Sequence, residues 1–224
     1  MPIVTLTNAR VITMDPGRPF ASGLIIKNGT ITQVLPVGQE SAHPIQGERI
    51  DLGGKALLPG LIDSHLHLRK YAETLQKVNC ETSTKGECLN RVRERVQSTP
   101  SGSWILGHGW NHNHWAEGYG SVQDLDQIST DHPIYLTGKS LHVSWANTAA
   151  LQKAGISNDT QDPAGGCLGR DPAGDLTGIL FEDALKLIEK ALPLPTSDEI
   201  AQSISIAQEN LWQMGITGVH DFDK

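Results

Sequence analysis

The stretch LIDSHLHL, residues 61–68, decides the fold class, because it joins a short apolar run to two histidines that are one residue apart. Side chains at positions i and i+2 of a β-strand project from the same face, so His65 and His67 can converge on one ion while Leu66 points away. The continuous apolar step Leu61–Ile62 is typical of a buried parallel strand, whereas alternation would indicate a half-exposed antiparallel one. The pattern therefore predicts a buried strand that presents a pair of imidazoles.

Such a pair indicates metal chemistry. Neutral imidazole suits zinc and other divalent first-row metals, but a catalytic zinc ion usually has about three protein ligands and a water, so two histidines form an incomplete site. If this strand opens an α/β barrel, its carboxyl end lies at the mouth where such barrels hold their active sites. A metal there would lower the pKa of a bound water to about 7 and polarise a carbonyl, which predicts amide hydrolysis by metal-bound hydroxide.

The chain before this stretch is dense in short β signals. Residues 3–58 contain several apolar runs, and Asn28–Gly29 separates two of them. An Asn-Gly pair favours a type I′ hairpin, because both central positions of that turn need a positive φ. A small sheet is therefore expected here, and Pro59–Gly60 marks its boundary.

The chain after this stretch changes to single strands separated by helices. The clearest helix begins at Thr196, which has capping-box spacing to Glu199, and Gly215 ends it. The following segment, Ile216–Asp221, is predicted to be another buried strand. The predicted fold class thus changes along the chain, from all-β before Pro59 to α/β after it.

Composition excludes several classes of partner. The 224 residues contain 18 Lys and Arg against 25 Asp and Glu, and the formal charge of -7 provides no field for nucleic acid or anionic lipid. The three cysteines show no C-x-x-C spacing, so they are interpreted as reduced thiols. Neither a signal-peptide pattern nor a span of about 18 apolar residues occurs, which predicts a cytoplasmic protein without a membrane partner.

Several segments, taken in order, resemble amidohydrolase family 3, a branch of the metal-dependent amidohydrolase superfamily that includes N-substituted formamide deformylases. They are LPGLIDSHLH at 58–67, GWNHN at 109–113, LHVSWANTAAL at 141–151, GILFE at 178–182 and GITGVHD at 215–221. The resemblance spans nearly the whole chain, and the first segment is similar to the first barrel strand of these enzymes.

The resemblance implies an α/β fold in two parts. Residues 1–58 would belong to a small composite domain that is β-sandwich-like, and residues 59–224 would begin a metal-dependent (β/α)8 TIM barrel. Roughly residues 70–195 would be an insertion between the first two barrel strands. The barrel is incomplete, since it typically needs about 250 residues. The remaining metal ligands and an acid-base aspartate are expected beyond Lys224, in a C-terminal half that would complete the site, so this chain alone is expected to be inactive.

The resemblance also implies roles for particular residues. His65 and His67 would bind a divalent metal, most readily zinc, as one or two ions. Asp63 could orient a ligand or close the strand through backbone hydrogen bonds. Glu182 could be an extra ligand or hydrogen-bond a ligating histidine, or it could cap a helix as an exposed glutamate at the helix N-terminus. The candidates for contact with substrate or for support of the metal ligands are Asp63, Trp110, His112, His142, Glu182 and His220.

The leading hypothesis is a metal-dependent hydrolase of non-peptide C–N bonds that acts on a small-molecule amide, N-formyl or N-acyl substrate. A homodimer is an open alternative to a single chain. One alternative is a truncated or non-catalytic amidohydrolase-like fragment that binds metal weakly without turnover. Another is a metal-binding module in the histidine-rich stretch from His108 to His142, where a second His-x-His pair, His112 and His114, occurs.

Overall fold

A computed structural model describes residues 2–38 and 47–223 of this chain as a mixed α/β protein. Of the small β domain predicted over residues 1–58, Met1 and residues 39–46 lie outside the described residues. The α/β class is confirmed by the strands and helices observed.

The described residues form two compact units. We call the first the N-terminal unit, which lies within residues 1–65 and 211–220. We call the second the central unit, which lies within residues 66–210 and 221–224. Each unit has its own sheets, and the two are described separately below.

The N-terminal unit contains two small sheets before residue 58. The first has the strand order β5-β4-β1-β6, with β1–β4 and β4–β5 antiparallel and β1–β6 parallel. Its strands are β1 (Ile3–Thr7), β4 (Gly23–Lys27), β5 (Thr30–Leu35) and β6 (Glu48–Asp51). The second has the order β3-β2-β7, and its strands are β2 (Arg10–Ile12), β3 (Phe20–Ala21) and β7 (Ala56–Leu57).

The hairpin predicted at Asn28–Gly29 is present. It joins β4 to β5, and Lys27 pairs with Thr30 across the turn. Asn28 has φ 54° and Gly29 has φ 76°, the two positive values that a type I′ turn requires. Asn and Gly adopt this left-handed conformation at lower steric cost than other residues, so the local sequence is sufficient to specify the turn.

The histidine stretch forms β8 (Leu61–Leu66), which pairs with β15 (Ile216–Asp221) in a two-stranded sheet. The Leu61 N–H donates to the Gly215 carbonyl at 2.8 Å where the strands begin, and the Phe222 N–H donates to the Leu66 carbonyl at 2.9 Å where they end. The strands are therefore parallel, as predicted. The residue before β8 is Gly60, and a larger residue would clash there. A Cβ at this position would lie 2.0 Å from the Thr217 hydroxyl oxygen.

The predicted burial of this strand is wrong for the described residues. Leu61 is 60% exposed and Ile62 is 66% exposed, although both lie in a regular strand. The physical reason is that an apolar run specifies which side chains gain from burial, whereas actual burial requires elements that cover both faces. Among the described residues, β15 is the single strand hydrogen-bonded to β8.

The predicted helix before β15 is α6 (Ser197–Gln213). The Thr196 hydroxyl accepts from the Glu199 N–H at 3.3 Å, and the Glu199 carboxylate accepts from the Thr196 N–H at 2.7 Å. This reciprocal pair is the capping box that the spacing predicted. Gly215 has φ 81° in the turn that follows, a conformation that favours glycine.

The central unit is built on one six-stranded sheet with the order β13-β14-β12-β11-β10-β9. Neighbours β9, β10 and β11 run parallel, and the other neighbours are antiparallel. The strands are β9 (Val78–Asn79), β10 (Ile105–Trp110), β11 (Ile134–Gly138), β12 (Val143–Ala146), β13 (Gly166–Arg170) and β14 (Leu176–Glu182). The helices are α1 (Leu68–Leu75), α2 (Lys85–Gln97), α3 (Val122–Asp126), α4 (Thr148–Lys153) and α5 (Leu185–Glu189).

This sheet is covered by apolar side chains on both faces. Leu136 packs in one buried cluster with Trp110 and Trp145, whereas its neighbour Tyr135 packs in a second cluster with Leu180. Successive residues of a strand point to opposite faces, so the two clusters lie on the two sides of the sheet. The central unit thus encloses its own hydrophobic core.

The segment LHVSWANTAAL at 141–151 has a structural role in this unit. Trp145 is fully buried and its indole N–H donates to the Ser121 carbonyl at 2.8 Å. Asn147 is fully buried and caps α4, because its side-chain oxygen accepts from the Ala150 N–H at 2.9 Å. These two residues therefore anchor the chain between β12 and α4.

Two further expectations concern the cysteines and membrane-spanning helices. Cys80 and Cys88 are buried thiols and Cys167 is an exposed thiol, as predicted. Within residues 2–38 and 47–223, none of the helices is both long and apolar enough to cross a membrane.

Candidate functional site

His65 lies within β8, and its backbone is held by the residue two positions earlier. The Asp63 carboxylate accepts from the His65 N–H at 2.9 Å. Of the two roles expected for Asp63, the structure shows this backbone contact. His65 and Asp63 both belong to the N-terminal unit, as does His220, which lies exposed in β15.

His67 lies one residue beyond the end of β8, at the N-cap position of α1. Its ring does not cap the helix; instead Nδ1 lies 3.2 Å from Oδ1 of Asp223. The His67 side chain is 43% exposed, whereas the Asp223 side chain is 14% exposed. An ionised carboxylate only accepts hydrogen bonds, so this contact favours the neutral tautomer with a proton on Nδ1 and a lone pair on Nε2.

Two aspartates at the end of β15 and just beyond it bind the start of α1, which has no acidic residue in its own first turn. Asp223 Oδ2 accepts from the Arg69 N–H at 2.5 Å, and Asp221 Oδ1 accepts from the Leu68 N–H at 3.1 Å. The bond from Leu68, followed by one from the Asp223 N–H, holds the pKa of Asp221 below its usual value. Carboxylates at a helix N-terminus satisfy open N–H groups and complement the helix dipole.

These residues border a shallow cleft in the central unit. Its volume is about 400 Å³, and its lining includes His67, Arg69, Phe222 and Asp223. Asp223 was missed by the sequence analysis. The signal that could have found it is an acidic residue two positions after the second predicted strand, where carboxyl ends of parallel strands meet.

A second group of predicted site residues lies at one edge of the six-stranded sheet. Trp110 ends β10, is 1% exposed, and donates its indole N–H to the Leu136 carbonyl at 2.9 Å. His112 stacks on Tyr119 with ring centroids 4.0 Å apart. A cleft of about 280 Å³ lies here, and its lining includes Trp110, His112, Lys139 and Ser140.

His142 and Glu182 form a pair beside this group. His142 Nδ1 lies 2.8 Å from Glu182 Oε2, and the Glu182 N–H donates to the His142 carbonyl at 2.9 Å. Glu182 ends β14 and is not in a helix, so its predicted capping alternative is wrong. The pair is exposed, with 71% and 57% of the side chains accessible.

The backbone is unusual at Leu141, beside His142, and at Glu182 itself. Leu141 has φ 64° and Glu182 has φ 50°, left-handed values that cost non-glycine residues energy. Leu141 is also 73% exposed, so burial of its side chain does not compensate for that cost. Backbone strain of this kind is concentrated at functional sites, which makes the pair a candidate for ligand contact.

Lys139 is another basic residue at this edge. It forms an ion pair with Glu81, and the hydrogen bond and charge of Lys139 hold the pKa of Glu81 below its usual value. Both side chains are more than half exposed, so the pair contributes little to stability. Lys139 is therefore a largely solvated lysine.

The structure therefore places the predicted site residues in separate groups. Within residues 2–38 and 47–223, no three His, Cys, Asp or Glu side chains are grouped so that they could hold a metal ion. The role of His65 and His67 as ligands stays a prediction.

Comparison with known proteins identifies the family. A sequence profile described as an amidohydrolase family matches residues 48–224. The chain is 34% identical over 221 residues to Protein LONG AFTER FAR-RED 3 of Arabidopsis thaliana, covering 98% of this chain and 38% of that protein. It is 30% identical over 228 residues to N-substituted formamide deformylase of Arthrobacter pascens, covering 96% of this chain and 42% of the enzyme.

A solved structure with a similar fold is an uncharacterized metal-dependent hydrolase from Pyrococcus horikoshii OT3. The two chains are 25% identical with a TM-score of 0.67, and the similarity covers 99% of this chain and 43% of that one. The chain belongs to the amidohydrolase family that matches residues 48–224. It spans less than half the length of these relatives.

Proposed function

We propose that the full-length protein containing this chain is a divalent-metal hydrolase of non-peptide C–N bonds. The observation that carries the proposal is the histidine pair at the carboxyl end of β8, in a chain that belongs to the amidohydrolase family. One relative is named as a deformylase of N-substituted formamides, which supports an N-formyl or N-acyl amide as the substrate class.

His65 and His67 would hold the metal, most readily zinc. The donor set fits such an ion, because imidazole nitrogen is a common zinc ligand and the contact with Asp223 favours a lone pair on Nε2 of His67. When bound, the metal supplies Lewis-acid activation of the amide carbonyl and of water. The remaining ligands and the acid-base group would come from the part of the protein beyond Lys224.

The edge residues of the central unit would contact the substrate. Trp110 and His112 border a cleft of a size suited to a small group, and His142 lies beside it with Glu182 holding its Nδ1. A ring held in this way presents Nε2 as an acceptor toward an amide N–H. In this proposal, these residues bind and orient the substrate, whereas the histidine pair holds the metal.

We also propose that β8 and β15 are the first two strands of a (β/α)8 barrel. Their parallel pairing and the exposure of Leu61 and Ile62 support this proposal, since barrel strands are covered on both faces. The central unit would then be an insertion between these strands.

The proposal is tested with the full-length protein, by measuring bound metal and the hydrolysis of N-formyl and N-acetyl amides. His65→Ala and His67→Ala are expected to lower metal content and hydrolysis together. His114→Ala is the matched control, because His114 is an exposed histidine from the second His-x-His pair. Normal metal content and activity in both His65→Ala and His67→Ala would overturn the ligand assignment.

A non-catalytic protein that binds metal weakly is the second candidate. In this candidate, His65 and His67 bind a metal ion but no amide is hydrolysed. This candidate would be excluded if the full-length protein hydrolyses an amide and if that activity is lost on treatment with a chelator and restored by zinc. Weak metal binding without turnover in the full-length protein would support it instead.

A further inference from the structure

Asp221, which ends β15, and Asp223, which follows it, have more contacts than a helix cap requires. Asp221 and Asp223 together accept from the Leu68 and Arg69 N–H groups at the start of α1. Asp223 makes one further contact through its second oxygen, to the ring of His67. This extra contact joins residues that are 156 positions apart in the sequence.

The position of the Asp223 carboxylate is determined at both of its oxygens. Oδ2 is held at 2.5 Å by the Arg69 N–H, and Oδ1 faces His67 Nδ1 at 3.2 Å. The Asp223 backbone is also held, because its N–H donates to Asp221 Oδ1 at 3.1 Å. With 14% of its side chain exposed, Asp223 has little freedom to turn toward solvent.

This arrangement acts on both the protonation and the direction of the His67 ring. A carboxylate oxygen accepts but does not donate, so the ring proton is favoured on Nδ1 and the lone pair on Nε2. A metal-ligating histidine usually donates its other ring N–H to such a group, which fixes the tautomer and increases the basicity of the ligand. The ring would therefore be oriented before any metal is bound.

We infer that Asp223 is a positioning residue, which orients His67 as a metal ligand through a hydrogen bond to Nδ1. The inference rests on the proposed function, since it assumes that His67 binds metal through Nε2. It goes further by assigning a role to an aspartate that follows the second strand and contacts no substrate in the proposal.

The variant Asp223→Asn separates positioning from helix capping. An amide oxygen can still accept from the Arg69 N–H, so the cap at the start of α1 can be kept. The same side chain would then turn its NH2 group toward His67 Nδ1, where a donor meets a donor and the preferred tautomer is lost. Asp223→Glu restores a charged acceptor at a slightly different distance.

The experiment uses the full-length protein, stripped of metal and titrated with Zn²⁺ alone against a competing chelator. All measurements are made at a temperature where each metal-free variant is folded, as judged by thermal unfolding. Asp223→Asn is expected to weaken Zn²⁺ binding about 10- to 100-fold, and Asp223→Glu to recover part of that loss. The control is Asp183→Asn, since Asp183 is an exposed aspartate paired with Lys186.

A spectroscopic readout distinguishes this role from general loss of structure. With Co²⁺ in place of Zn²⁺, the visible absorption spectrum reports ligand geometry, and it should change in Asp223→Asn but not in Asp183→Asn. Unchanged Zn²⁺ affinity and Co²⁺ spectrum in Asp223→Asn, with binding lost in His67→Ala, would overturn the inference and leave the proposed function intact. Unchanged binding in His67→Ala would overturn the inference, and unchanged binding in His65→Ala as well would overturn the proposed metal site.

Discussion

The two sheets that carry candidate site residues differ in how their apolar side chains are covered. In the six-stranded sheet, Leu136, Trp145 and Leu180 are 0% exposed, whereas Leu61 and Ile62 in the two-stranded sheet are 60% and 66% exposed. Full burial of a large apolar side chain stabilises a fold by about 1.5–3 kcal/mol. The central unit therefore has a core of its own, whereas the strand that carries His65 lacks such cover among the described residues.

This difference suggests a division of roles. The sheet with a complete core can hold the edge residues Trp110 and His142 in fixed positions, because the strands beneath them are packed on both faces. The histidine strand would gain its rigidity from elements that cover Leu61 and Ile62 in the proposed barrel.

The largest effect is expected from truncation of the central core. Trp145→Ala should lower the free energy of unfolding by about 3–5 kcal/mol, because it leaves a cavity and removes a buried indole. In this 224-residue chain, Leu61→Ala should change it by less than about 0.5 kcal/mol, because Leu61 is 60% exposed. Urea unfolding followed by circular dichroism measures both. An equally large loss of unfolding free energy in Leu61→Ala would contradict the difference in burial between the two sheets.

A smaller effect is expected at Asn147. Its side-chain oxygen accepts from Ile134 and Ala150, and its amide donates to the carbonyls of Ser129 and His132. Asn147→Ala should cost about 2–4 kcal/mol, since it removes a helix cap and leaves buried backbone groups without partners.

The matched control for Asn147 is Asn90→Ala, at an exposed position in α2, which should change the free energy of unfolding little. Urea unfolding again provides the measurement. Equal stability of the two variants would contradict the structural role assigned to the WANTAA segment.

Asp124 should give an intermediate effect that depends on pH. Burial tends to raise the pKa of Asp124, but hydrogen bonds from Ser121 and Lys85 outweigh it and hold that pKa below its usual value. A lowered folded pKa means that the stabilisation is complete above about pH 4 and is lost as the pH falls through the folded value. Asp124→Asn should cost about 1 kcal/mol at neutral pH.

The pH test compares urea midpoints of wild type and Asp124→Asn at about pH 7 and about pH 3. The difference between the two proteins should shrink at the lower pH. Asp183→Asn is the control, because its pair with Lys186 is exposed and should contribute little. A difference that grows toward acid pH would show that the sign is wrong.

The smallest effect on stability, with the clearest effect on function, is expected at Leu141 and Glu182, whose backbones are left-handed. Leu141→Gly removes backbone strain and should stabilise by up to about 1 kcal/mol. Glu182→Gly removes similar strain but also the contact with His142, so its stability should change by less than about 1 kcal/mol.

In the full-length protein, amide hydrolysis at low substrate concentration should fall in Glu182→Gly and persist in Leu141→Gly. Steady-state kinetics with an N-formyl amide would measure this difference. Equal activity in both variants would remove Glu182 from the proposed substrate edge.

Several features could be predicted from the sequence because few neighbouring residues determine them. The Asn28–Gly29 turn follows from the backbone freedom of two residues, and the start of α6 follows from the spacing of Thr196 and Glu199. The histidine pair was recognised in the same way, from a one-residue spacing and an apolar run. Local sterics and hydrogen bonds decide such features without information from distant parts of the chain.

Other features were decided only by the tertiary structure. The sequence indicated that Leu61 and Ile62 favour burial, but whether they are buried depends on which elements cover β8. The contacts of His67 with Asp223 and of His142 with Glu182 join residues 156 and 40 positions apart, and no local pattern specifies them. Such pairs form when strand pairing and packing across the whole fold bring distant segments together, so their positions follow from the sum of many weak interactions.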